Sequence, residues 1–284
     1  MEFAKVGNTQ MGLLVLGALL FMLVPPAIAF IWTKKKKEKF TSVLAGAVTF
    51  MLFAVILEKP LQNILVFPTM MGLSEHAAAK FINARPVLWA LIVGLFPGVF
   101  EETGRLVAFK TVLKNRKNRE TGVSHGIGHG GFEVMIVLGI PYIQYISYAS
   151  MINAGTFGNV IAQVAAKAPE QAEQGYAIAA QLAAFTAGNL ILNIVERIFA
   201  VMFHTGASML VFYACRDKKK FLLYPLAVLL HTAMDFIAGL QLAGVTTLSP
   251  VMMEAVVVLS GIAVFFGAYF LLYKKDKESE KEAL

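Results

Sequence analysis

Seven apolar runs dominate the chain, at residues 11–32, 41–57, 86–110, 122–152, 188–215, 221–243 and 250–273. A helix needs about 20 apolar residues to cross the hydrocarbon core of a bilayer. The pattern therefore predicts an all-α, polytopic transmembrane helix bundle of about seven spans. It reads as a single transmembrane domain over residues 1–273, followed by a charged cytoplasmic tail over 274–284. Pro25-Pro26 predict a kink near the inner end of the first span, and Pro141 one in the fourth. Residues 58–85 carry Phe67-Pro68 and a short helical stretch around 74–80, which reads as interfacial or re-entrant. Residues 153–176 are small and polar. Residues 177–215 exceed one perpendicular span, so either the fifth helix extends beyond the bilayer or a short helix near 171–187 precedes it.

Charge sets the topology. Basic blocks at 34–39, 114–119, 216–220 and 274–277 follow spans one, three, five and seven. Seven spans put all four blocks on one side, and the positive-inside rule makes that side cytoplasmic. The expectation is a multi-pass protein of the cell membrane, N-terminus outside and C-terminus cytoplasmic. The formal net charge of +7 is thus a topology signal rather than a nucleic-acid one. Hydrophobic residues make up 57% and charged ones 15%, against about 45–50% and about 25% in soluble domains. Ala27-Ile28-Ala29 mimics a signal-peptide cleavage site, but a signal peptide carries its positive charge before the apolar run; here Lys34–Lys37 follow it. A single cysteine, Cys215, excludes an intrachain disulfide and a cysteine-based metal site, and reads as an apolar filler.

Ionisable residues deep in the runs are few and aligned. A charge near the bilayer centre costs about 2.5–3.5 kcal/mol even on lenient scales, so such residues are functional candidates. Glu101, Glu102 and Arg105 lie in the third run, His129 and Glu133 in the fourth, His204 in the fifth, His231 and Asp235 in the sixth. Counted from the nearest cytoplasmic charge (Lys114, Arg119, Arg216 or Lys220), every one of them but Arg105 falls 10 to 15 residues in. At about 1.5 Å per residue that is one layer near the bilayer middle. Glu101 and Arg105 are spaced i, i+4 and share a helix face, as do His125, His129 and Glu133 at successive i+4 steps, and His231 with Asp235. Glycines 126, 128, 130 and 131 let helices approach closely there. Glu196-Arg197 lie above the layer and read as a structural pair with other helices; His76 reads as solvated.

Adjacent carboxylates cannot both carry full charge cheaply at low dielectric, and Arg105 can hold one ionised. The set supplies a general base for water, and histidines that share the proton or donate to an oxyanion. Asp235, one turn from His231, can hold that ring and set its tautomer. Glutamate, histidine and water suit hydrolysis of an acyl bond, and a site within the bilayer points to a membrane-associated peptide or protein as substrate. No cofactor is favoured.

The residues Glu101-Glu102-x-x-Arg105, His129-Gly130-Gly131-Phe132-Glu133 and His231-x-x-x-Asp235, in that order on successive candidate spans, resemble the superfamily of glutamate-dependent intramembrane proteases. That group includes the CAAX prenyl endopeptidases, bacteriocin-processing enzymes and PrsW. Over most of its length the chain resembles the YhfC family of intramembrane peptidases. The resemblance implies a four-helix catalytic core in spans three to six, about residues 86–240, around a membrane-embedded cavity. It implies Glu101 as base with Glu102 second, Arg105 as the first motif's cation, and His231 with Asp235 as an oxyanion-stabilising pair. Two residues separate the glutamates from the cation here, as in PrsW, not three as in the CAAX type. His129 and Glu133 are both available to assist, and the resemblance assigns His204 no role.

Two other readings use the same residues. His129, Glu133, His204 and His231 are an acceptable catalytic zinc set, although H-E-x-x-H is absent from the sequence. Midplane carboxylates and histidines also build proton relays in transporters, which usually show internal repeats; none is visible here. A non-enzymatic scaffold is the third, against which intact Glu101, His129 and His231 argue.

Overall fold

The computed structural model describes residues 3–167 and 169–276, so all but the first three residues of the tail expected over 274–284 lie outside the described residues. Among the described residues, seven helices are long and apolar enough to span a bilayer: Asn8–Lys36, Phe40–Val66, Pro86–Lys110, Glu120–Asn153, Ala187–Arg216, Lys218–Leu242 and Pro250–Tyr273. They correspond one to one with the seven apolar runs. The second is longer than its run because the helix continues over Lys59–Val66, where Gln62 and Val66 are buried among more exposed neighbours. A 3-10 turn at Pro68–Met71 and a helix at Ala77–Asn83 follow it. His76 caps that helix: its ring accepts from the Ala79 amide and meets the Ile64 carbonyl at 2.9 Å. A separate helix, Pro169–Ala183, precedes the fifth span, which settles the excess length at 177–215. The first span runs helically through Pro25-Pro26. In the fourth, a π-helical turn at Met135–Gly139 absorbs the backbone disturbance of Pro141.

The described chain divides into two compact units. One runs to Pro26 and resumes over Val134–Ile194. Its centre is Tyr142, almost fully buried, whose hydroxyl accepts from Asn193 at 2.8 Å and whose ring meets Phe21 edge-on.

The other unit comprises Ala27–Glu133 and Val195–Leu284 and holds every candidate site residue. Its helices touch through glycine. A Cβ on Gly94 would lie 2.6 Å from the Phe236 nitrogen, and one on Gly98 would lie 2.9 Å from the Val228 carbonyl oxygen, so the third and sixth spans meet backbone to backbone. Gly206 brings the fifth span equally close to Val264 of the seventh. From Phe203 to Ala214 every residue of the fifth span is buried, polar His204, Thr205 and Ser208 included.

The basic blocks meet at one end of this unit. Asn118 donates to Glu38 at 2.9 Å and Arg116 to Thr41 at 3.1 Å. Arg119 donates to the Tyr273 carbonyl at 3.4 Å, and Arg216 pairs with Asp276. The segments after spans one, three, five and seven are thereby joined by hydrogen bonds at a common basic end.

Candidate active site

Arg105 is the hub. It is wholly buried on the third span, and an unpaired guanidinium at that depth would be prohibitive. Each of its nitrogens has a partner. Nε donates to Ser208 Oγ at 3.1 Å, Nη1 pairs with Glu102, and Nη2 donates to His204 Nδ1 at 2.7 Å. A guanidinium has no acceptor, so these bonds have one direction, and they fix protons further out. His204 Nδ1 accepts, which leaves the proton of the neutral ring on Nε2, 2.6 Å from Glu133 Oε2. Glu133 turns its other oxygen to Arg197 Nη1 at 2.9 Å, and Arg197 also pairs with Glu196.

A second chain leaves Arg105 through Ser208. Ser208 Oγ lies 3.1 Å from His125 Nδ1, and His125 Nε2 lies 3.3 Å from Thr49 Oγ1. Thr49 spends its only proton on the Ala45 carbonyl at 2.7 Å. A donor-only group at one end and an acceptor-only group at the other orient the whole chain, with neutral His125 protonated on Nε2. His125 thus makes none of its hydrogen bonds with the carboxylates and serves to hold Ser208 under Arg105.

The two glutamates have different surroundings. Glu102 is fully buried, and its Oε1 takes both Arg105 and His231 Nδ1, the latter at 2.8 Å. Glu101 keeps a slight opening. Its Oε2 accepts from His129 Nε2 at 2.8 Å and lies 3.8 Å from Arg105 Nη2, 3.8 Å from His204 Nδ1 and 4.0 Å from His231 Nε2. Asp235 faces His231 Nε2 at 3.5 Å. The short bond to the His231 ring therefore comes from Glu102 rather than from its own-helix neighbour Asp235, because Glu102 reaches Nδ1 from the third span.

All the sequence-predicted residues, Glu101, Glu102, Arg105, His125, His129, Glu133, His204, His231 and Asp235, fall in one connected cluster. Four participants were not foreseen. Ser208 and Thr49 carry no charge and give no signal in an apolar run, although Ser208 stands i+4 from His204. Arg197, read as an outlying structural pair, is tied to Glu133. Glu58, in the π-helical turn Phe50–Glu58 of the second span, is 1% exposed, pairs with Lys59 at 3.2 Å and lies close enough to Glu101 and His231 for their charges to interact.

Two triads offer donor atoms within 4.8 Å of one another: Glu101, His204 and His231, and His129, Glu133 and His204. In the first, His204 comes nearest Glu101 with Nδ1, the nitrogen already bonded to Arg105, and a cation there would crowd the guanidinium. The second contains a buried nitrogen without a hydrogen-bond partner among the described residues, His129 Nδ1, beside the close pair of Glu133 Oε2 and His204 Nε2 at 2.6 Å. Two imidazoles and a carboxylate, the carboxylate held from behind by Arg197, fit a zinc ion by donor chemistry.

The model of the YhfC intramembrane metalloprotease family matches residues 20–272. The chain belongs to that family. It is also 28% identical, over 258 residues covering 88% of this chain and 95% of the other, to the "Uncharacterized membrane protein YhfC" of Bacillus subtilis (strain 168). No solved structure matches it. Family membership and seven apolar helices make it a multi-pass membrane protein of an intramembrane protease family.

Proposed function

We propose that the chain is an endopeptidase that cleaves a membrane-associated peptide or protein with a water activated by Glu101. The observation that carries this is the ring around Glu101 Oε2: three imidazoles and a guanidinium within 4.0 Å of one carboxylate oxygen that retains some access. His129 donates to Glu101 and steadies its charge. His231, gripped at Nδ1 by Glu102, aims Nε2 at the same oxygen from 4.0 Å, too far for a direct hydrogen bond and a separation that one water bridges.

In this reading Glu101 takes a proton from the water as its oxygen bonds to the peptide carbonyl carbon. The tetrahedral oxyanion draws on His231, which donates from Nε2 when its ring carries a proton on both nitrogens. The C–N bond then breaks, and the proton held on Glu101 passes to the leaving nitrogen, giving a carboxylic acid and an amine. Arg105 and Glu102, buried below, hold the reacting groups in place.

A second reading is favoured by the partnerless His129 Nδ1, which with Glu133 and His204 would hold zinc. Bound there, zinc would polarise the carbonyl and acidify water. The four basic blocks gathered at one end support an orientation with that end cytoplasmic in the cell membrane and the N-terminus outside.

The test is cleavage of membrane peptides by purified protein in nanodiscs, with metal content assayed on the same sample. Activity lost in Glu101→Gln supports the proposal. Wild-type protein that cleaves none of them with or without added zinc overturns it.

A further inference from the structure

Access to this site is one-sided. On the sixth span the stripe Ala227, His231, Asp235 and Gly239 packs inward, and three of the four are buried. Asp235 alone has a side chain 29% exposed. A residue within an inward stripe, flanked by buried neighbours one turn away on both sides, is exposed to space among the helices rather than to lipid.

On the other three helices the exposure is graded. On the fourth, His125 and His129 are fully buried, while the next member of the stripe, Glu133, is 14% exposed. On the third, Glu102 is sealed and Glu101, one residue further from the basic end, is 8% exposed. On the fifth, every residue of Phe203–Ala214 is buried, whereas between Val195 and Met202 only Ala200 is, and Glu196 is 29% exposed. On these three helices exposure rises away from the end where the basic blocks meet; on the sixth, Asp235 is a single opening between buried His231 and Gly239.

We propose that water and the scissile segment reach Glu101 from the extracytoplasmic half of the bilayer, through an opening at Asp235 and Glu196, and that the cytoplasmic half of the site is a closed anchor. The substrate class that follows is a membrane-inserted peptide cut in the outer half of its span. The identity of what enters rests on the peptidase reading; the direction of entry rests on the exposure gradient and the basic end.

Single cysteines in a Cys215→Ser background test this. Intact cells are treated with a small, charged, membrane-impermeant thiosulfonate, and unreacted thiols are counted after solubilisation. Asp235→Cys and Glu196→Cys are expected to lose their free thiol in intact cells. Ser208→Cys is expected to keep it, and Lys117→Cys, at the basic end, to lose it only after lysis. Glu196→Cys serves where Asp235→Cys fails to fold. Modification of Asp235→Cys or Glu196→Cys only from the Lys117 side, or from neither side, overturns the proposal, as does modification of Ser208→Cys from the Lys117 side. Mass spectrometry of any cleaved peptide gives a second reading: a cut in the cytoplasmic half of its span overturns the proposal. Wild-type protein that cleaves nothing removes the peptidase reading and leaves the labelling result standing.

Discussion

His231 Nδ1 lies 2.8 Å from Glu102 Oε1, an oxygen that Glu102 also gives to Arg105. One carboxylate oxygen thus ties the sixth span to the third and orients the imidazole that faces Glu101. In the proposed reading the adjacent glutamates divide their tasks, one holding the site together and the other left to react.

That division separates two substitutions. Glu101→Gln is expected to fold and to lose turnover. Glu102→Gln removes the charge paired with a buried guanidinium, which costs about 3–5 kcal/mol, so a lower melting temperature in detergent should accompany its loss of activity. Equal melting temperatures for the two variants would count against the assignment.

Ser208→Ala deletes the hydroxyl between Arg105 and His125 and leaves two buried polar atoms unpaired. The expected cost is about 1–3 kcal/mol. Thermal unfolding measures it, and combining it with His125→Ala should cost less than the sum of the two single substitutions, because both break the same chain.

Zinc stoichiometry discriminates the two metal triads. If zinc is held, His129→Ala, Glu133→Ala and His204→Ala should each empty the site, and His231→Ala should leave it filled. Arg197→Gln should weaken retention about 10–100-fold by freeing the far oxygen of Glu133. Metal analysis and the visible spectrum of the cobalt-substituted protein read this without any assay of cleavage.

Gly94→Ala places a methyl 2.6 Å from the Phe236 backbone nitrogen. Neither helix backbone can yield locally, so the third and sixth spans must separate, at about 1–3 kcal/mol. His231 moves with its helix, so turnover should fall together with the melting temperature.

The spans and the depth of the site were legible in the sequence because a bilayer imposes both. Length and apolarity mark a crossing, and a charge inside one stands out at once. Counting from the basic blocks brought together residues as far apart as Glu101 and His231 with no knowledge of packing. Other features could not be counted. Which partner holds the His231 ring depends on how two helices are rotated about each other, and no periodicity reports that. Ser208 and Thr49 are ordinary within a span. Arg197 lies beyond the layer that the count marks, yet its long side chain returns to Glu133. The second span continued past its apolar run because Lys59–Val66 buries one stripe only.

Twelve consecutive residues of the fifth span, Phe203–Ala214, are enclosed by neighbouring protein. Ribosomal synthesis delivers that helix before the sixth and seventh, so for a time its His204 and Ser208 have only part of their surroundings. His231, which completes the ring around Glu101, arrives later still. A nascent fragment that ends before the sixth span therefore lacks the full constellation, and the proposed site is complete only once that span has been made. In the proposed reading, the first five spans are threaded into the membrane before any site able to cut a peptide exists.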